Sequence, residues 1–437
     1  MGVGIIGGGL MGMALAYHLA RQGEQVTVLE QDSELGGLNG ELRFDDGLRV
    51  ARYQHAILPI DRMLYNLCTE LGLQDDLLFQ NAHAGFVHGG QIYAMTNILD
   101  FLTFPMLGLI DRFRLGGVIL RARSKADWRE LDELPVKEWL VRVGGVEAFE
   151  RVWRPLLEAK FDGVYDHVSA TYIWAWLNRM SSIRRVPQMN GSIGYLRRGH
   201  FSLIQSLAEA LLRLGGKIEY NARVREIELG DGRMQRIRTQ TQVKEFDVVV
   251  AAIATPNFLR LIPGADNAYK ARLTNAKYLG LICPVLVVEK RLSPYWTLNL
   301  TDPTFPFSVI IETPHPEHPS NYVVYLPRYT APDNDWMGVS DEDIREAWFS
   351  HLHQIFPTFD EAAVRHFAVS RSRYVEPVYL VNNLANDIGI LTPYDGLYLA
   401  NTRQTYPELP TSEAVIKHAQ HVASVISKAR PASTQMG

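Results

Sequence analysis

Apolar Val3, Ile5 and Ile6 lead into Gly7-Gly8-Gly9, and residues 10–21 then carry apolar side chains at helical spacing up to Gly23. Residues 25–30 form a β-branched run closed by an acid. Apolar or β-branched runs read as strands and a 3.6-residue period as a helix, so the first thirty residues predict strand, glycine turn, helix, strand. Residues 60–190 read as mainly helical, and 199–215 as an amphipathic helix stopped by Gly215-Gly216. Residues 217–220, 224–229 and 234–239 alternate as strands, with a turn at Gly230-Asp231-Gly232. Residues 246–253 are a buried-strand run, 278–330 are strand-rich, and 341–356 are helical. Residues 396–400 read as a last buried strand, followed by a helix over 411–428 with Thr411 or Ser412 at its cap.

This order predicts an α/β fold. A Rossmann-type nucleotide domain, a parallel sheet with helices, is assembled from 1–80, 190–260 and 381–430. An α+β substrate domain, made of 81–189 and 261–380, is inserted into it.

The length of 437 residues fits two or three domains, and a net charge of −4 argues against nucleic acid as a partner. Cys68 and Cys283 form no CxxC pair, which argues against a zinc site or a disulfide framework and for a reducing, cytoplasmic setting. No leader is expected ahead of a strand that begins at Val3. Residues 101–110 and 278–288 are the most apolar, yet short of the roughly 20 residues that span a bilayer. Residues 98–125 mix apolar side chains with Arg112, Arg114, Arg121 and Arg123. Two readings stay open there, an ordinary amphipathic helix on the core or a peripheral membrane contact at the mouth of a lipophilic tunnel.

Gly7-x-Gly9-x-x-Gly12 sits between a predicted strand and a predicted helix. Gly7 permits the tight turn, Gly9 lets a pyrophosphate approach the backbone, and Gly12 lets helix and strand pack closely. Leu10 and Met11 open the helix whose N-terminus attracts the phosphates. Glu30, beside Gln31, ends the second strand, where a carboxylate accepts hydrogen bonds from ribose hydroxyls.

The double glycine Gly36-Gly37 that follows resembles the extended motif of FAD enzymes of the amine oxidase superfamily. The arginine usual after it is Leu38 here. Three further segments resemble that superfamily: Arg223-Val224, FDVVVAAIATP over 246–256 with Ala252, and GLYLANTRQTYPELPTSEAV over 396–415. In the last, Asn401-Thr402 replaces the usual Gly-Asp, and Ala414 lies at the start of the closing helix. The branch most similar is the protoporphyrinogen oxidase-like and phytoene desaturase-like one. The resemblance implies FAD as cofactor and a flavin-dependent oxidoreductase.

No second GxGxxG unit with strand–turn–helix context appears, so oxygen, a quinone or another protein is the expected electron acceptor. The resemblance implies an oxidase or desaturase taking hydride from a C–C or C–N bond of a fairly apolar molecule. A non-redox flavoenzyme such as a sugar mutase or isomerase, and a flavin-bearing binding protein, are the alternatives. Flavin amine oxidases often carry a lysine on a substrate-domain strand, and Cys283-Pro284 stands there instead. Tyr53 and His55 after the glycine-rich loop, with Tyr325 and Arg328 beside a later strand, are the catalytic candidates, His55 as acid or base by residue type.

Overall fold

The computed structural model describes residues 2–96, 100, 103–105, 107–124, 127–182, 191–229 and 235–429. The elements used below, in chain order, are β1 (Val3–Ile6), α1 (Leu10–Arg21), β2 (Val26–Leu29), α2 (Leu109–Ser124) and α3 (Arg154–Phe161). They continue with α4 (Phe201–Arg213), β3 (Lys217–Glu219), β4 (Val248–Ala251), β5 (Tyr278–Val288), β6 (Val364–Pro377), β7 (Leu397–Leu399) and α5 (Ser412–Ala429).

A five-stranded sheet runs in the order β7-β4-β1-β2-β3, and every pairing in it is parallel. Strands β1, β4 and β7 are short apolar runs buried on both faces, as a parallel sheet covered by helices requires, and the edge strand β3 is polar and partly exposed. Helices α1, α4 and α5 cover one face, where Met13, Leu15, Leu203, Leu207, Ile416 and Val422 share one core with Val3, Ile5 and Val28. Val249, Ala251, Leu397 and Leu399 face a second core on the other side.

An eight-stranded, mostly antiparallel sheet forms the other half. Its spine is β5, whose eleven residues are all buried and which pairs with β6 along its length. A helical cluster that includes α2 and α3 packs around Trp139, Phe149, Trp153 and Phe161 and meets β5 at Leu279.

The structure departs from the expected elements in two places. The stretch expected to be mainly helical contains strands Leu77–Asn81, Ala84–His88 and Gln91–Ala94. The first pairs with Ser192–Leu196 and the second with Thr297–Leu300, both too remote for a local window to register, and the third pairs with the second. Strand β6 was not anticipated, because its arginines and half-exposed face hide the strand pattern. The turn expected at Gly230-Asp231-Gly232 lies outside the described residues.

Candidate active site

The glycine turn has the geometry that its spacing implies. Gly7 adopts φ of 108°, and a Cβ on Gly12 would lie 2.0 Å from the Gly7 carbonyl oxygen, so α1 packs against the turn only with glycine there. A Cβ on Gly9 would meet nothing closer than 3.9 Å, the Gly36 carbonyl oxygen, which leaves that side open. The first α1 bond runs from Met13 N–H to the Gly9 carbonyl at 2.9 Å. The amides of Leu10, Met11 and Gly12 precede it, and the first turn carries no acid. Such an N-terminus suits a pyrophosphate.

Glu30 is buried, and its carboxylate accepts from Gly8 N–H at 2.7 Å and Asp32 N–H at 3.0 Å. Burial holds its pKa above the usual carboxylate value, and those two donors oppose the rise. Each oxygen keeps a further lone pair for a ribose hydroxyl. The Glu30 carbonyl accepts from Ala222 N–H at 2.7 Å, which brings Val224 alongside the acid, whereas Gln31 is exposed. Gly36 N–H donates to the Gly8 carbonyl at 3.0 Å, so the Gly36-Gly37 turn closes over the first one, and Leu38 packs inward beside Val50 and Tyr53. Ala252 presses on the turn, its carbonyl oxygen 2.9 Å from where a Gly7 Cβ would sit.

At the C-terminal segment Asn401 Nδ2 donates to the Ile253 carbonyl at 3.3 Å and to Thr255 Oγ1 at 3.0 Å, while its Oδ1 accepts from Arg403 N–H. Both amide hydrogens therefore tie β7 to the loop after β4. Among the described residues the Thr402 side chain makes no hydrogen bond, and Ala414 is buried in the first turn of α5. Two glycine-opened turns, unpaired helix amides and a buried acid fit FAD.

His55 and His200 stack with ring centres 4.7 Å apart. One strand places both, since Ile57 and Gly194 exchange backbone bonds of 3.1 and 2.7 Å and the chain then runs from Leu196 to His200. His55 Nε2 lies 3.1 Å from the Leu38 carbonyl oxygen, and His200 Nε2 lies 2.9 Å from Ser412 Oγ. A carbonyl only accepts, so His55 carries its proton on Nε2 and leaves Nδ1 as a base. Burial lowers the His55 pKa to about 4, and lowers that of His200 as well. The two rings line a cleft together with Gln54, Tyr195, Thr313 and Tyr325. Tyr325 and Tyr53 pack on Cys283 behind it, and burial raises both phenol pKa values.

The model of flavin containing amine oxidoreductases matches residues 10–426. The chain belongs to this family. It is an FAD-dependent oxidoreductase. Among its relatives, the zeta-carotene desaturase of Solanum lycopersicum is 26% identical over 341 residues, 69% of this chain and 55% of that protein. The 15-cis-phytoene desaturase of Synechococcus elongatus is 25% identical over 384 residues, 82% of this chain and 80% of that protein. An oxidoreductase from Methanosarcina mazei has the same fold, with a TM-score of 0.74 at 20% identity over 98% of this chain and 100% of that one.

Of the four catalytic candidates in this flavin oxidoreductase, the structure brings three together: His55 and Tyr325 line the cleft, and Tyr53 lies buried behind them. It separates Arg328, which lines a second cleft with Phe305, Phe307 and Tyr329, donates to the Pro306 carbonyl at 3.2 Å and stacks on Trp336. Strand β5 carries no lysine. Helix α3 instead supplies Lys160, whose Nζ lies 2.9 Å from Glu376 Oε2 and 3.4 Å from the Tyr329 ring centre. Neither this knot nor His200 was identified from sequence. Lys160 and Glu376 are 216 residues apart, so no local signal joins them.

Proposed function

We propose that this oxidoreductase is a desaturase-type enzyme that takes a hydride and a proton from adjacent carbons of a fairly apolar small molecule. The observation that carries the reading is His55, a neutral imidazole on a cleft whose Tyr325 wall packs on the apolar group of Leu281, Cys283 and Val285. Bound FAD supplies the acceptor for the hydride. The glycine turns, the α1 amides and Glu30 hold its adenosine and pyrophosphate half. His55 takes the proton on Nδ1 while the Leu38 carbonyl fixes its tautomer. Tyr53 and Tyr325, whose raised pKa values keep them neutral, exclude water and shape the wall. The absence of a lysine on β5 favours a C–C bond over an amine. The carotene desaturases among the relatives support an apolar substrate.

Oxygen, a quinone or a partner protein takes the electrons onward in this reading. The cytoplasm suits the two buried free thiols, Cys68 and Cys283. The nucleotide domain is drawn from 1–80, 190–260 and 381–430, and the substrate domain from 81–189 and 261–380.

The test is anaerobic mixing of the oxidised holoenzyme with phytoene in detergent micelles and, separately, with a primary amine. Bleaching of the flavin by the polyene alone is expected. Bleaching by the amine alone, or turnover only after dithionite reduction, as an isomerase or mutase would show, overturns the proposal.

A further inference from the structure

Arg403 is a buried charge without a countercharge. It follows β7 in the short helical turn Thr402–Thr405 and is 4% exposed. Its Nη1 donates to the Val378 carbonyl at 3.3 Å and its Nη2 to Asn383 Oδ1 at 3.0 Å, while Nε is buried and donates to nothing among the described residues. Both acceptors are neutral. Asp387 acts on the guanidinium only from a distance, and among the described residues no carboxylate pairs with it. Burial holds its pKa below the ordinary arginine value, yet an arginine keeps its charge in a folded chain. Buried charges are as a rule paired, because an unpaired one gives up its hydration for nothing in return. The partner that this chain does not supply is expected from a bound group.

Position says which part of the cofactor that is. The five strands β7-β4-β1-β2-β3 are parallel, so their carboxyl ends share one edge, and a ligand of such a sheet lies along it. With the ribose at Glu30, just past β2, and the pyrophosphate at the α1 amides, just past β1, an extended dinucleotide continues along that edge towards β4 and β7, its flavin end leading. Arg403 stands past β7, two strand spacings of about 4.8 Å each beyond β1. Asn401 joins these two last strand ends, donating to Thr255 Oγ1 after β4 at 3.0 Å and accepting from Arg403 N–H at 3.1 Å.

We propose that Arg403 supplies the countercharge of the reduced flavin and so raises its reduction potential. Hydride transfer brings two electrons and one proton to a neutral ring and leaves it with one negative charge. In a dry interior a fixed cation stabilises that charge without touching it, and does little for the neutral oxidised ring. The gain from Arg403 therefore appears only on reduction. The inference rests on FAD as cofactor and not on which substrate reduces it.

The experiment measures the two-electron midpoint potential of the holoenzyme against a reference dye, for wild type, Arg403→Gln and Arg403→Lys. Lysine keeps the charge but not the planar fork that makes the two bonds, so the variants separate electrostatics from structure. Arg403→Gln is expected to shift the reduction equilibrium at least tenfold towards the oxidised form, about 30 mV, with little change in the dissociation constant of oxidised FAD. Arg403→Lys is expected to keep the wild-type potential, while the melting temperatures of both variants fall. A second measurement needs no variant to fold. A reduced ring held as an anion takes up one proton per two electrons, so the wild-type potential should fall by about 30 mV per pH unit around neutrality. A slope of about 60 mV per unit, two protons for two electrons, leaves no charge for Arg403 to meet and overturns the proposal. An unchanged potential in Arg403→Gln, or a Lys variant whose potential drops as far as that of the Gln variant, overturns it too. Weaker binding of oxidised FAD at unchanged potential also overturns it, and gives the arginine to the pyrophosphate.

Discussion

The glycine turn at Gly7–Gly12 and the cleft around His55 sit in one molecule, yet their parts come from very different distances along the chain. The turn, its helix and Glu30 fall within the first thirty residues, and backbone conformation does most of the work there. The cleft joins His55, His200 and Tyr325, and the bond from His200 to Ser412 spans 212 residues. Its chemistry rests on side chains whose properties are set by what folds around them. Where backbone makes the site, steric substitutions should abolish binding outright; where side chains make it, substitutions should change the rate and leave the cofactor in place.

The largest expected effects lie in the turn and separate two glycines. Gly12→Ala puts a Cβ 2.0 Å from the Gly7 carbonyl oxygen, so the fold should lose at least about 3 kcal/mol. Gly9→Val points into open space and should leave the apoprotein folded but colourless. Thermal unfolding and flavin absorbance of both purified proteins check this, and a yellow Gly9→Val protein would remove the turn from the cofactor site.

In the cleft, His55→Gln should lower the rate of flavin reduction by substrate roughly 10²- to 10⁴-fold, the contribution usual for a positioned base. The visible spectrum of its bound FAD should match that of wild type. Stopped-flow reduction decides the matter, and an unchanged rate would leave the cleft without its base.

Glu30→Ala should weaken FAD binding about tenfold to a hundredfold, and Glu30→Gln less, because hydrogen bonds to a charged group contribute about 1.5–3 kcal/mol each. Titration of the apoproteins with FAD measures this, and equal affinities would show that the acid serves only Gly8 and Asp32.

The smallest expected effect is in pH dependence. The His55 pKa is lowered to about 4 from an ordinary value near 6.5. The unfolded chain therefore binds its proton first as pH falls. The stability contributed by neutral His55 is complete above about 6.5 and is lost between there and about 4, and the acid limb of the rate should lie near 4. His418, also lowered to about 4, adds to the loss of stability but not to the rate profile. A rate profile that breaks near 6.5 would mean that the ring is solvated during turnover.

These contrasts explain what the sequence made legible. The fingerprint and the acid at Glu30 were readable because each requirement is local: a positive φ at Gly7, a missing Cβ at Gly12, a strand end at Glu30. The parallel sheet was readable because strands buried on both faces are continuous apolar runs. His55 was singled out by residue type, but its neutral state follows from burial, against the pull of the Leu38 carbonyl, and only the folded chain supplies that burial. Arg328 illustrates the converse. It stands near Tyr325 in sequence, yet faces a different cleft, because Tyr322–Tyr325 and Arg328–Thr330 run along β5 in one register and side chains three residues apart on that line point to opposite faces of the sheet.

The order of strands across the parallel sheet carries a consequence for biosynthesis. Strand β7, last of the described strands in sequence, docks beside β4, and α5 follows it to pack against α1. The glycine turn leaves the ribosome well before the segment that completes the sheet and buries α1. A nascent chain therefore exposes the apolar flank of α1 that α5 covers until that helix has emerged, and FAD should be captured durably only from then on. Cells that make this enzyme quickly should hold a pool of unflavinylated, chaperone-bound chains, in proportion to synthesis rate rather than to flavin supply.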